Sequence, residues 1–535
     1  MSLEEKNEQK TLGPDLNVNQ ESQESTKATT VEPEIKIFKL SVSDIPSFLT
    51  DVFKKPPYNQ EEVKLEQIFN RNLESYLKLL KPELWVVAEY PYVDKFYRDT
   101  YYHFFSSKLH SYPRDTVRLS FFLKELPLTH FRKKGHLEEI QKEYLGFIVI
   151  RPTFPKVIGR SAVAPQAFKD HNFLCCTAKV QATCNYIKLY SNAFPHASQD
   201  NQLVTCSETT IWSLFEYFGN KYPEYKPTLP SEIHRKLQQY SYKRQIPSDG
   251  LTVDQLTFVV RELGFGSLSY SKEEYPERFN EIISMYVESG IPVIGVVRND
   301  HIAHAVNIVG REVDNIVSIL NQDTYEEVSP QVRLIDYHQL ERKYVLVDDN
   351  HPPYREVYLD APTAIYSSSL WIDCDLTDIV VPLYHKIYLD ALKAKDNFLG
   401  VLELEGLGVD DNEPRVFKVF LASGRSYKEY IALNNQMEES LKELILTIAF
   451  PKFIWVAEIA KQESFEKGFI TGFLLQDATD PVDRKKEPLV EWPMICGYND
   501  GKFFKVTKDD ESLQFIDTFA LEFEPYTGNL SNLNV

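Results

Sequence analysis

The sequence predicts an α+β protein whose central part, residues 190–375, runs through helices first and strands afterwards. Two sets of segments carry that reading. Apolar residues recur at helical spacing over 206–218, 253–263 and 275–289. Shorter apolar runs of strand length follow at Ile291–Val297, His304–Gly310 and Lys343–Asp349. Helices followed by a set of antiparallel strands form one layered α+β unit.

Mixed α/β blocks are expected on either side, at 36–165 and 376–535. The first opens with an alternating strand at Lys36–Ser41. A helical stretch at Glu61–Leu80 follows, then strands at Leu84–Tyr90, Thr116–Leu123 and Tyr144–Thr153. The third block holds a long helical stretch from Lys428 and strands such as Arg415–Ala422 and Lys502–Thr507. Residues 1–35 are nearly all polar, carry no periodic apolar face and are expected to be a disordered tail.

Bulk composition narrows the function. Asp and Glu total 78 against 59 Lys and Arg, a formal charge of −19, which argues against non-specific nucleic-acid binding. The stretch Asp94–Leu119 is aromatic and basic, but in so acidic a chain it reads as buried Tyr and Phe with paired Arg. Six cysteines with no CxxC pair fit free thiols in a reducing compartment, not a zinc ribbon. No apolar signal core opens the chain, and Leu444–Ala460 is interrupted by Thr447, Pro451, Lys452 and Glu458. That stretch reads as a buried helix followed by a strand. A soluble, cytoplasmic protein without membrane or nucleic-acid partners is expected.

Chemistry concentrates at Cys206. Thr205 and Glu208 have the spacing of a capping box, which starts a helix at Cys206. Ile211, Trp212, Leu214, Phe215, Tyr217 and Phe218 surround that helix, so it is expected to be buried, with Gly219 as its stop. A thiol in the first turn sits at the positive end of the helix dipole, beside free N–H groups that can hold an oxyanion. His304 opens a strand and can present its ring to the helix terminus, whereas His301 lies in the preceding turn. Asp348 and Asp349 end a later strand, and a carboxylate there can orient the second ring nitrogen of the base. Strand alternation places the two acids on opposite faces, so only one of them is expected to serve.

Other constellations are weaker. His301-x-x-His304 lacks the Glu of H-E-x-x-H and ends on a strand, so no metal site is expected. Leu263–Leu268 carries two glycines but follows a helix and reads as a helix stop, not a phosphate loop; no cofactor is expected. Arg151 and Arg160 either anchor the first block to the second or contact substrate.

The order of capped Cys206, strand-initial His304 and strand-final Asp348 or Asp349 resembles the papain-like cysteine peptidase fold. It is most similar to the compact bacterial branch that includes the leader peptidases of bacteriocin exporters. The resemblance covers about 190–375. It implies a glutamine a few residues before the thiol that donates to the oxyanion, and Gln199 and Gln202 bracket that place. It also implies a thiol hydrolase acting on a protein or peptide. Acyl transfer through the same acyl-enzyme, as in transglutaminase-like relatives, and a non-catalytic binding scaffold are the alternatives.

Overall fold

A computed structural model of the chain describes residues 35–69, 73–200, 202–240, 250–315, 326–329, 332–402, 413–480, 493–507 and 512–532. The tail expected at 1–35 lies outside them except for Ile35. The fold is α+β, and Ile35–Val535 make one compact unit.

Three sheets organise it. The first is a five-stranded antiparallel meander, Lys36–Ser41, Trp85–Tyr92, Thr116–Phe122, Tyr144–Ile150 and Ile158–Val163, in sequence order. The second carries the predicted central strands. Its antiparallel order is Arg355–Tyr358, Lys343–Val347, Ala303–Glu312, Val293–Arg298, Asp375–Tyr384 and Phe265–Ser271. The third runs from Glu326–Ser329 and Val332–Asp336 through Arg415–Ser423 and Phe453–Lys461 to Ser512–Asp517.

Sequence blocks and sheets do not coincide throughout. Val332–Asp336 falls inside 190–375 yet pairs in parallel with Arg415–Ser423 of the third sheet. Ser531–Asn532, near the C-terminus, returns to pair with Phe173–Cys175 of the second. The hairpin of Ala178–Cys184 and Ile187–Ala193 and the helix Pro230–Tyr240 were not anticipated. Leu444–Ala460 does contain a helix end and a strand, Glu439–Leu446 and Phe453–Lys461, and no described helix is long and apolar enough to cross a membrane.

The helix Cys206–Lys221 sits where these layers meet. Every residue from Ser207 to Phe218 is buried: the apolar Ile211, Trp212, Leu214, Phe215, Tyr217 and Phe218 by packing, and polar ones such as Thr210 and Glu216 by finding partners. Trp212 packs edge-on against Phe96 of the first block at 4.6 Å. Glu216 is buried on the same helix and takes two bonds from Arg160 (3.1 and 2.9 Å) and one from Lys95 (2.9 Å). Arg160 is therefore an anchor of the helix, as Arg151 is of the loop before it. On the far side the Thr210 hydroxyl donates to the Ala305 carbonyl and the Asn307 amide donates to the Thr210 carbonyl, both at 3.1 Å.

Gly219 corrects one expectation. The helix continues through it to Lys221, so it is not a stop. Its lack of a side chain admits Pro227, whose nitrogen lies 2.4 Å from where a Cβ would stand. The stop expected near Leu263 is real: Gly264 follows that helix with φ +104, a left-handed conformation that suits glycine.

Gly219→Ala separates these roles. On an exposed helix the change would stabilise by about 1 kcal/mol. Here overpacking against Pro227 is expected to destabilise by roughly 1–3 kcal/mol in urea unfolding. A more stable variant would show that the approach of Pro227 does not constrain the helix.

Candidate functional site

Cys206 is the first residue of the buried helix, and both halves of its capping box are formed by Thr205 and Glu208. The thiol is half-buried and free, and all six cysteines are unbridged. The loop leading to it is fixed from three directions. Asp200, itself buried, accepts the N–H groups of Gln202, Leu203 and Val204 on one oxygen at 2.9, 2.8 and 2.9 Å. The Arg151 guanidinium, fully buried, donates to the Ser198 and Gln199 carbonyls at 2.7 and 2.9 Å. His234 holds the Leu203 carbonyl at 3.0 Å.

His304 is brought to the thiol by the register of its strand against the helix. The Cys206 side chain is a close enough neighbour to act on the His304 ring. The Nε2 atom lies 2.8 Å from Asp348 Oδ1, so Nδ1 is the nitrogen left for sulfur. Burial opposes a charged imidazole here, but the Asp348 carboxylate and the Cys206 side chain outweigh it and hold the His304 pKa well above its ordinary value. Burial likewise disfavours charge on Asp348, yet His304, His351 and the Tyr366 hydroxyl hold its pKa far below the usual carboxylate range.

The chain leaves the sheet after Val347, so strict alternation does not govern the two acids. Asp348 reaches His304 at 2.8 Å, and Asp349 lies 3.7 Å from the same nitrogen. Asp349 is buried and neither of its oxygens receives a hydrogen bond from a described donor. Burial and the neighbouring Asp348 charge, set against the attraction of His304 and Lys156, push its pKa up to about 7. These three side chains place ligand-type atoms within 4.8 Å of one another. The Nε2 that a metal would need is the atom already bonded to Asp348.

Of the two glutamines, Gln199 donates its side-chain amide to Asn350 Oδ1 at 2.9 Å, and the Asn350 N–H in turn donates to Asp348 at 2.9 Å. Gln202 is half-buried, and its backbone N–H donates to Asp200 Oδ1. His301 is exposed in the turn, where its N–H caps Asn299.

Several site residues escaped the sequence reading. Tyr366 donates to Asp348 Oδ2 at 2.5 Å and lies 3.3 Å from His304 Nε2. Trp371 stacks on Tyr366 at 3.8 Å between ring centres and meets the His304 ring edge-on at 5.2 Å. Asn299 pins that segment by donating to the carbonyls of Leu370 and Ile372 at 3.0 and 3.1 Å. His196 donates to the carbonyls of Asp348 and His351 at 3.1 and 3.0 Å, and burial pushes its pKa down to about 4, so it acts as a neutral clasp. The run "YSSSLW" gave no signal of this, because the partners are brought together only by the fold. Asp200 four residues ahead of Val204 was a readable Asx-turn signal.

Asp200→Ala removes one acceptor from three converging N–H groups. A loss of about 2 kcal/mol or more in urea unfolding is expected, since unsatisfied buried donors cost ~1–3 kcal/mol each. Asp200→Asn keeps an acceptor oxygen and should retain most of the stability. Equal, negligible effects would mean that the loop is held by Arg151 and His234 alone.

No protein-family model and no curated protein matches this sequence.

Proposed function

We propose that the chain is a thiol hydrolase that cleaves a peptide or isopeptide bond on a papain-like central unit. The observation that supports this best is the gathering of three groups: Cys206 on a capped helix terminus, His304 as a neighbour whose imidazole Cys206 influences, and Asp348 bonded to the His304 Nε2. That is the relation of nucleophile, base and orienting acid that acyl transfer requires. The six free cysteines favour a reducing, cytoplasmic setting.

His304 takes the Cys206 proton, and the sulfur attacks the carbonyl carbon of the scissile amide. The oxyanion meets the Cys206 backbone N–H and a glutamine amide, from Gln202 or from Gln199 if it releases Asn350. Collapse breaks the C–N bond as the imidazolium gives its proton to the leaving amine. A water, deprotonated by His304, then adds to the thioester and releases the acid and the thiol. An amine in place of that water would give acyl transfer from the same intermediate. Asp348, fixed by Tyr366 and the Asn350 N–H, keeps the ring in the orientation each proton transfer needs.

Hydrolysis of a mixed peptide library by the full chain tests this. Cys206→Ala and His304→Ala should each abolish turnover almost fully, and the double variant should add little, because the pair acts as one unit. Asp348→Ala should cost less than either. Loss of the acting glutamine should lower turnover by about a hundred- to a thousandfold. Full biological activity of Cys206→Ala would instead favour a non-catalytic scaffold.

A pH measurement checks the acids. Above neutrality Asp349 is charged and supports the His304 imidazolium 3.7 Å away. Asp349→Asn removes that support, so His304 should lose its proton at lower pH. The alkaline limb of kcat/KM is expected to move down, and an unmoved limb would mean that Asp349 is electrically silent.

A further inference from the structure

We propose that His130, His136 and Glu139 form a binding site for a divalent transition metal of the imidazole-preferring kind, such as Zn2+, separate from the thiol site. The three lie on consecutive short elements, the 3-10 turns Leu128–Arg132 and Lys134–His136 and the helix Leu137–Glu143. Their ligand-type atoms fall within 4.8 Å of one another. The two Nδ1 atoms face the same oxygen, Glu139 Oε2, at 3.9 Å from His130 and 3.3 Å from His136. The His130 Nδ1 atom is buried and has no hydrogen-bond partner among the described residues, a state a polar atom seldom keeps.

The carboxylate is also split in the way a ligand is. Lys124 takes the other oxygen, Oε1, at 3.4 Å and is itself held by Glu143 at 3.3 Å. Outer partners of that kind orient a ligating carboxylate while leaving one oxygen for the ion. The imidazole rings stack at 3.8 Å with 10° between their planes. With 26%, 34% and 40% of their side chains exposed, His130, His136 and Glu139 have room to turn their lone pairs onto one ion. Two His and one Glu leave a fourth position of a tetrahedral Zn2+ open to solvent.

Equilibrium dialysis of the chelator-stripped full chain against zinc chloride tests this, with Cys206→Ser as the control for zinc on the thiol. About one Zn2+ per chain is expected in both the natural chain and Cys206→Ser. His136→Gln, His130→Gln and Glu139→Gln should each weaken binding about tenfold or more while melting like the natural chain without metal. Zinc should raise the melting temperature of the natural chain and of Cys206→Ser only. No stoichiometric zinc in the natural chain would overturn the proposal. So would zinc lost in Cys206→Ser but kept in all three ligand variants.

Discussion

Two hydrogen bonds in the core decide where everything else in the site can stand. The Thr210 hydroxyl donates to Ala305 and the Asn307 amide donates to Thr210, tying the central helix to the central strand. Thr210 lies one turn after Cys206, and Ala305 is the residue after His304. Locking one pair therefore sets the other. Asn307 and Thr210 are buried, so a slip of the helix along the strand would strand polar groups at a cost of about 1–3 kcal/mol each. Apolar packing alone is tolerant of small slides; this clamp is not.

The helix is held from its other side by charge. Glu216 is a buried carboxylate between the buried Arg160 and the solvent-exposed Lys95, so losing Arg160 would leave it only a partner at the surface. The first sheet thus serves as a bracket for the helix that carries the thiol. The site itself has the opposite character. Two adjacent carboxyls share the surroundings of one imidazole, and only one of them, Asp348, is supplied with donors. The other, Asp349, is left with burial and repulsion, which is why the two acids differ so widely in pKa. His304 and Asp348 are buried beside the stacked Tyr366 and Trp371 rings, and a hydrogen bond in such surroundings is stronger than one in water.

Much of this was legible in the chain because its cause was local. The capping box at Thr205 and Glu208 uses four consecutive residues, and the all-round apolar pattern that buries the helix needs only a dozen more. The central strands announced themselves by apolar runs. What could not be read depended on contacts across long separations. Tyr366 and Asp348 are 18 residues apart and Glu216 and Arg160 are 56 apart, with nothing in either local pattern to join them. Gly219 looked like a helix stop because the approach of Pro227 is not written in its neighbours. The two acids were expected on opposite faces because alternation was carried past the end of the strand. The pairing of Val332–Asp336 with Arg415–Ser423 crosses two sequence blocks for the same reason: parallel partners leave no hairpin signal.

The reactivity proposed for Cys206 rests on its place at a capped helix terminus, the one half-buried thiol among six. Time-resolved mass spectrometry of the native chain with limiting iodoacetamide measures this at each cysteine separately. Cys206 should be alkylated first and fast, and His304→Ala should slow it markedly while leaving Cys175, Cys176, Cys184, Cys374 and Cys496 protected by burial. Slow, uniform labelling of several cysteines, or a Cys206 rate indifferent to the loss of His304, would contradict the account.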